Sequence, residues 1–461
     1  MHAPSLAEFF RVKWSTTLEE ASSRNRLLFK SVLIWTAALM AAFQPGLMSS
    51  DSLDQYSQGL SGAYNDIHPP LGSLLLGISG KLTGSPWPVL MAQLLAMGLC
   101  MAALVRSPKA REGRWGLVVM GLFLLTPTVW ALAVTLWKDV MTAAVLLGAV
   151  AALKFRRPAM ALVLLMAGVA FRHNAIIAAA PLAIPAVLQW APKQWSAFRK
   201  SQLLAVALVG LVLSPSVVSR ALGSTRAWAV GQLFLYDLAG IYAAHPELVS
   251  RSMLSNDTSG DEIVRLYTPL HVWQLFGGVE GARPISFTSL DSRRKELRGE
   301  WARMIREQPS AWLRHRWASF ESMIGASPAP VHYPFHLNID PNSFQLRVPS
   351  EGWLYKTLHE IKMRLANTLV FRGWAWLLLL GGIALVALRR VRQKPIAFCT
   401  AMSGLGYALA YLFIGIGSDF RFIYWSIITV FATLALLLTE QSPQEAGTSE
   451  RGPAASPSAG A

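Results

Sequence analysis

The sequence predicts an all-α polytopic membrane protein of about ten transmembrane helices, with interfacial helices in the first outer loop and a mixed periplasmic domain between helices seven and eight. Three observations predict it. Hydrophobic residues make up 53% of the 461 and charged residues only 15%, where a soluble domain carries about 25% charged. Ten runs approach the roughly 20 apolar residues that a spanning helix needs. Basic residues gather on alternate connections between those runs, as expected for cytoplasmic loops.

In chain order, residues 1–26 read as a cytoplasmic segment, because Arg11, Lys13, Glu19, Glu20, Arg24 and Arg26 leave no uninterrupted apolar core for a cleaved signal peptide. Residues 27–218 form the first transmembrane module, with spans at Leu27–Phe43, Trp87–Val105, Trp115–Val134, Thr135–Leu153, Ala159–Phe171, Ala175–Trp190 and Gln202–Val218. The fifth and sixth are short and separated by Arg172-His173-Asn174. Reading that triplet as a turn keeps Arg106–Arg114, Lys154–Arg157 and Lys193–Lys200 on the same side as the N-terminus. Residues 367–438 carry Asn367–Leu388, Pro395–Ile416 and Phe422–Leu438, with Arg389, Arg390, Arg392 and Lys394 on that same side. Both termini are then cytoplasmic in a multi-pass inner (plasma) membrane protein, and residues 439–461, rich in Pro, Ser, Gly and Ala, read as a disordered tail.

Two segments do not fit as spans. The loop 45–86 holds Asp51, Asp54, Asp66 and His68, followed by Leu71–Leu82, which is too short to cross and reads as an interfacial helix. Residues 219–366 are long enough for a compact periplasmic domain. Within it, Trp228–Ala244 reads as a helix on the membrane surface, and Arg303–Phe320 as one basic amphipathic helix near headgroups.

The net charge of +16 would suggest nucleic acid in a soluble chain. Here it follows topology, so the partners expected are the lipid bilayer and its envelope molecules, with no nucleic acid. Cys100 and Cys399 sit in apolar runs and offer no disulfide framework. No P-loop, Ser-His-Asp or CxxC pattern is present, and no cofactor is implied. Pro334 opposes a helical His332/His336 metal pair, which leaves the clustered aspartates as the place where a divalent metal could bind.

Chemistry concentrates in SSDSLDQYSQGLSGAYNDIHPPLG. Carboxylates at the membrane edge are costly unless paired or used. The plainer alternative is a solvated loop in which Asp51 caps a helix beginning at Ser52. Asp51 in SDSLDQY, then Asp66-Ile67-His68-Pro69-Pro70-Leu71 leading to the Gly80–Gly84 region, resembles the GT-C superfamily of integral-membrane glycosyltransferases, such as the protein O-mannosyltransferases and the lipid A aminoarabinose transferases. The resemblance is specific in the first 110 residues and architectural afterwards. It departs from the usual Asp-Glu pair, having Asp51-Ser52 instead.

This resemblance implies transfer of a sugar from a polyprenyl-phosphate donor to an envelope glycan, lipid or protein acceptor on the outer face, with inversion. Asp51 is the first choice for the base that takes the acceptor proton, and Asp54 the second. His68 matches the position before Pro-Pro, and Arg421 in GSDFRFIYW stands where related enzymes carry an Arg-Tyr-like pair; both would meet the leaving phosphate. Lys138 and Asp139 could form a second wall of the site or a local ion pair. Arg172 and His173 could contact a headgroup or pyrophosphate, or Arg172 could simply snorkel. Asp237 is the remaining acidic candidate, most simply a surface-helix residue. A polytopic transporter or lipid flippase would place polar residues near the bilayer midplane, whereas here they gather at one edge. A non-enzymatic scaffold would leave the HPPL loop merely structural.

Overall fold

The computed structural model describes residues 6–286 and 291–440, with side chains from residue 21 onward. The proposed tail lies outside the described residues, apart from Thr439 and Glu440. Every regular element among the described residues is a helix, and extended backbone appears only as isolated bridges.

The first helices are α1 (Leu6–Phe43), α2 (Ser50–Ser61), α3 (Pro70–Thr83), α4 (Trp87–Val105), α5 (Ala110–Leu125) and α6 (Pro127–Ala133). They are followed by α7 (Lys138–Lys154), α8 (Pro158–Phe171), α9 (Ile176–Trp190) and α10 (Ala197–Ala221). Next come α11 (Val230–Ala244), α12 (Gly260–Leu266), α13 (Trp273–Gly277), α14 (Arg294–Glu307), α15 (Pro309–Met323) and α16 (Trp353–Leu365). The last three are α17 (Gly373–Arg389), α18 (Pro395–Ile414) and α19 (Tyr424–Thr439).

Six of these helices are long and apolar enough to cross a bilayer, and a seventh span results if α5 and α6, bent by 55°, are taken together. Each of the ten apolar runs is helical, but α7, α8 and α17 have only 17, 14 and 17 residues. At 1.5 Å per residue these reach about 21–26 Å, against a hydrocarbon core of about 30 Å. The described residues are thus all-helical with the character of a polytopic membrane protein, and six helices, or seven spans with the bent pair, have the full length. Outward apolar side chains such as Val206, Val209 and Val212 on α10 are more than half exposed, as a lipid-facing surface requires.

The loop after α1 folds into two helices packed backbone to backbone. Gly59 of α2 meets Gly77 of α3 so closely that a Cβ on Gly77 would stand 2.2 Å from the Gly59 carbonyl oxygen. The expected short helix at Leu71–Leu82 is α3, opened by Pro70 at its first turn and closed by Gly84 at φ +71°.

Residues 219–366 depart from expectation in three ways. No strand is present among the described residues, so the predicted mixed character is absent. The helix at Trp228–Ala244 does not lie on the surface: Leu235, Tyr236, Leu238, Ala239 and Ile241 are fully buried, and α11 is the axis around which α12, α14 and α15 pack. The expected amphipathic helix Arg303–Phe320 is two helices, broken at Gln308-Pro309 because proline cannot donate within a helix but suits its first turn. The later part, including Phe320, Met323 and Tyr355, joins the large core of the bundle.

Asp237 ties this outer module together. It accepts from Trp301 Nε1 at 2.7 Å and Trp312 Nε1 at 2.9 Å, and forms an ion pair with Arg316 Nε at 2.6 Å. Arg316 reaches on to the Gly415 carbonyl. Beside it the segment 270–272 pairs with 416–418, through Val272 N–H to Ile416 O at 2.9 Å and Ser418 N–H to Leu270 O at 2.7 Å. The outer module is therefore stitched to the short loop that enters α19.

Candidate functional site

Helix α2 starts at Ser50 after the N-cap Ser49, which leaves Asp51 inside the first turn and not at the cap. The capping alternative fails, and Asp51 sits where the helix dipole favours a carboxylate. Asp51 Oδ2 accepts from Arg421 Nη2 at 3.0 Å, although the two are 370 residues apart. His68 Nε2 lies 3.8 Å from the other oxygen. Pro69 and Pro70 turn the chain directly after His68 into α3, fixing the imidazole against the first turn of α7. There Lys138 Nζ lies 2.6 Å from His68 Nδ1. Lysine can only donate, so Nδ1 accepts and Nε2–H faces Asp51.

Burial, reinforced by Lys138, pushes the His68 pKa down to about 3, so the ring is neutral at pH 7. Burial also opposes ionisation of Asp51, but the neighbouring cations, Arg421 first and Lys138 after it, outweigh it and hold the carboxyl well below the usual range. Asp51 is an anion.

Two arginines flank one aromatic ring. Arg421 lies over Trp137 and Phe422, 4.8 and 5.4 Å from the ring centres, and its Nη2 also meets Asp419 at 2.9 Å. Arg172 covers Phe422 at 5.1 Å, pairs with Asp139 at 2.6 Å, and donates to Tyr411 at 2.8 Å and Asn174 at 2.9 Å. Three carboxylates and three cations thus neutralise one another around a single centre.

They surround a cleft of about 370 Å³ lined by Asp51, His68, Lys138, Arg172, His173 and Arg421, with apolar walls from Val230, Leu233 and Ile414. A neighbouring lobe of about 310 Å³ shares Asp51, His271, Trp273, Asp419 and Arg421 and adds His332, Tyr333 and Asp340. Asp139 stands behind the wall, neutralising Arg172.

Two expected residues are elsewhere. Asp54 is exposed, accepts from Gln58 Nε2 at 2.7 Å and lines neither lobe. Asp66 accepts from the Ala227 N–H at 2.5 Å, while its own N–H donates to Thr225 O at 3.0 Å, so it fastens the first loop to the outer module. Asp51, Asp54 and Asp66 therefore do not come together at one point, and no three His, Cys, Asp or Glu side chains among the described residues form a metal-binding group. His332 and His336 lie in a loop, as Pro334 demands; the His332 ring lies tilted against that of His271, 5.8 Å between centres, and His336 faces Asp340 at 3.5 Å.

Sequence reasoning missed His271, Trp273, Tyr333, Asp340, Tyr411 and Asp419. Asp419 had a local signal, a carboxylate two residues before Arg421. The density of His, Tyr and Asp in HYPFHLNID was another. Nothing local marks His271 or Tyr411. Comparison with known protein families, with curated proteins and with solved structures returns no match.

Proposed function

We propose that the chain is a GT-C-type membrane glycosyltransferase, transferring a sugar from a polyprenyl-phosphate donor to an envelope glycan, lipid or protein acceptor. In this reading ten helices enter the inner (plasma) membrane, both termini are cytoplasmic and the cleft faces outward. The observation that carries it is the meeting of Asp51 with Arg421, His68 and Lys138 at one cleft with an apolar flank. An anionic carboxylate beside several cations suits a reaction in which a proton is removed while a phosphate departs.

The step balances as a single displacement. Asp51 takes the proton of an acceptor hydroxyl, the acceptor oxygen forms a bond to the anomeric carbon, and the bond from that carbon to the phosphate oxygen breaks. The phosphate leaves with the electron pair, and Arg421 and Lys138 stabilise the charge it gains. Apolar side chains Val230, Leu233 and Ile414 would take the prenyl chain nearest the phosphate. Purified protein in nanodiscs with a radiolabelled polyprenyl-phosphate sugar and envelope acceptor tests this. Transfer by the wild type that disappears in Asp51→Asn but persists in Asp54→Asn supports the reading. No transfer by wild type with several donors, or full transfer by Asp51→Asn, overturns it.

A further inference from the structure

A second cavity, about 450 Å³, opens at the other end of the bundle, where α4, α7 and α19 end and α18 begins. Helix α7 runs from Lys138 at the cleft to Lys154 at this cavity, a rise of about 25 Å. The cavity therefore lies near the opposite bilayer surface.

Its ionic groups divide into two kinds. Lys154 is fully engaged, donating to the carbonyls of Ala103, Leu104 and Arg106 at 3.1, 2.6 and 2.8 Å. Glu440 is engaged too, each carboxylate oxygen accepting a backbone N–H, of Ile396 and of Ala397, at 3.0 Å. By contrast, the guanidinium groups of Arg106 and Arg156 have no hydrogen-bond or ion-pair partner among the described residues, and both are exposed on the cavity wall. Arg156 stands there at φ +54°, in the left-handed region, held by its N–H to Leu153 O at 3.0 Å and the next N–H to Ala152 O at 2.9 Å.

Between these cations the walls are Leu153, Pro185, Leu188 and Ile396. Phe155, Leu188 and Trp190 at the same level are about half exposed, as side chains facing lipid at an interface would be. We propose that this cavity binds an anionic phospholipid, its phosphate held by the forks of Arg106 and Arg156 and one acyl chain laid along Leu153 and Leu188. Two unpaired guanidinium groups select a phosphate, and the apolar walls select one that carries a hydrocarbon chain. A zwitterionic headgroup would bring a cation beside a lining that already holds Arg106, Lys154 and Arg156.

The test uses the full chain in mild detergent, with native mass spectrometry to measure retained phosphatidylglycerol and phosphatidylcholine, and thermal unfolding with each lipid or with inorganic phosphate. Wild type is expected to retain phosphatidylglycerol at least tenfold more tightly. That preference should fall at least fivefold in an Arg106→Gln/Arg156→Asn double variant, asparagine being chosen because it tolerates the left-handed conformation. Both side chains are exposed and unpaired, so the variant should unfold at the wild-type temperature without lipid. Equal retention of the two lipids, or an unchanged preference in the variant, overturns the proposal. Equal protection by inorganic phosphate at matched concentration overturns it as well, assigning the cavity to a soluble anion. None of these readouts depends on sugar transfer.

Discussion

Replacing Asp51 by asparagine should weaken turnover and strengthen donor binding at once. Within the cleft Asp51 is held ionised by Arg421 at 3.0 Å and its cationic neighbours, and so is a feeble base. A phosphate anion arriving about 4 Å away would repel the carboxylate by roughly 4 kcal/mol at an effective dielectric of 20. That corresponds to about a thousandfold in proton affinity, acting against the pull of the cations. Under the proposed transfer the donor would thus strengthen its own base, at the expense of its own affinity. The neutral amide of the Asp51→Asn variant would exert no such repulsion, and the cleft, now with three cations against two carboxylates, would be net positive.

Allowing half the Coulomb figure for relaxation, donor affinity should rise about tenfold to thirtyfold, while single-turnover transfer should fall about 10²- to 10⁴-fold with the loss of the base. Isothermal titration of the lipid-phosphate donor into nanodisc-embedded protein reads the first quantity. Rapid-quench transfer reads the second. Weaker donor binding together with undiminished turnover would refute the reasoning. Asp54→Asn, which touches neither lobe, serves as the reference.

Arg421→Gln should lower stability by about 3–5 kcal/mol, because Asp51 and Asp419 lose a shared buried counter-ion; thermal unfolding in detergent measures it, and Arg421→Lys should recover only part, lacking the planar fork. Gly77→Ala should cost about 3 kcal/mol or more by forcing α2 from α3, whereas Gly381→Ala, with nothing within 4 Å of the new Cβ, should be neutral or slightly stabilising. Buried Lys362, whose amine is pushed down to about 7, favours the neutral form only in the folded chain. Its stabilising contribution is present above pH 10.5 and lost as pH falls towards 7, so the wild-type unfolding temperature should rise between pH 7 and 9.5 relative to that of Lys362→Met.

Much of the helical layout was legible because apolar runs bounded by Arg, Lys and Pro leave few alternatives. Pro70 and Pro309 both open helices, and the second was visible in sequence but hidden by the Trp-Arg alternation around it. Apolarity alone could not separate lipid-facing from core-facing helices, which is why α11 read as a surface element. In the cleft, Asp51, His68 and Arg421 were legible because local density or neighbouring motifs singled them out. Asp54 stood as second choice to Asp51 and Asp66 as a substrate contact, since linear spacing carries no information about which way each carboxylate turns. Tyr411 and His271 were invisible because their importance comes wholly from distant partners: Arg172 for one, Gly417 for the other.

The stitching of 270–272 to 416–418 bears on how this protein can be taken apart. Those bonds, with Arg316 at Gly415, end only three residues before Arg421. The outer module is therefore no detachable accessory: a graft or deletion of residues 228–312 would slacken the arginine that holds Asp51. Chimaeras meant to exchange the module would have to carry the 415–421 loop with it, crossing over within α18 and again inside α19.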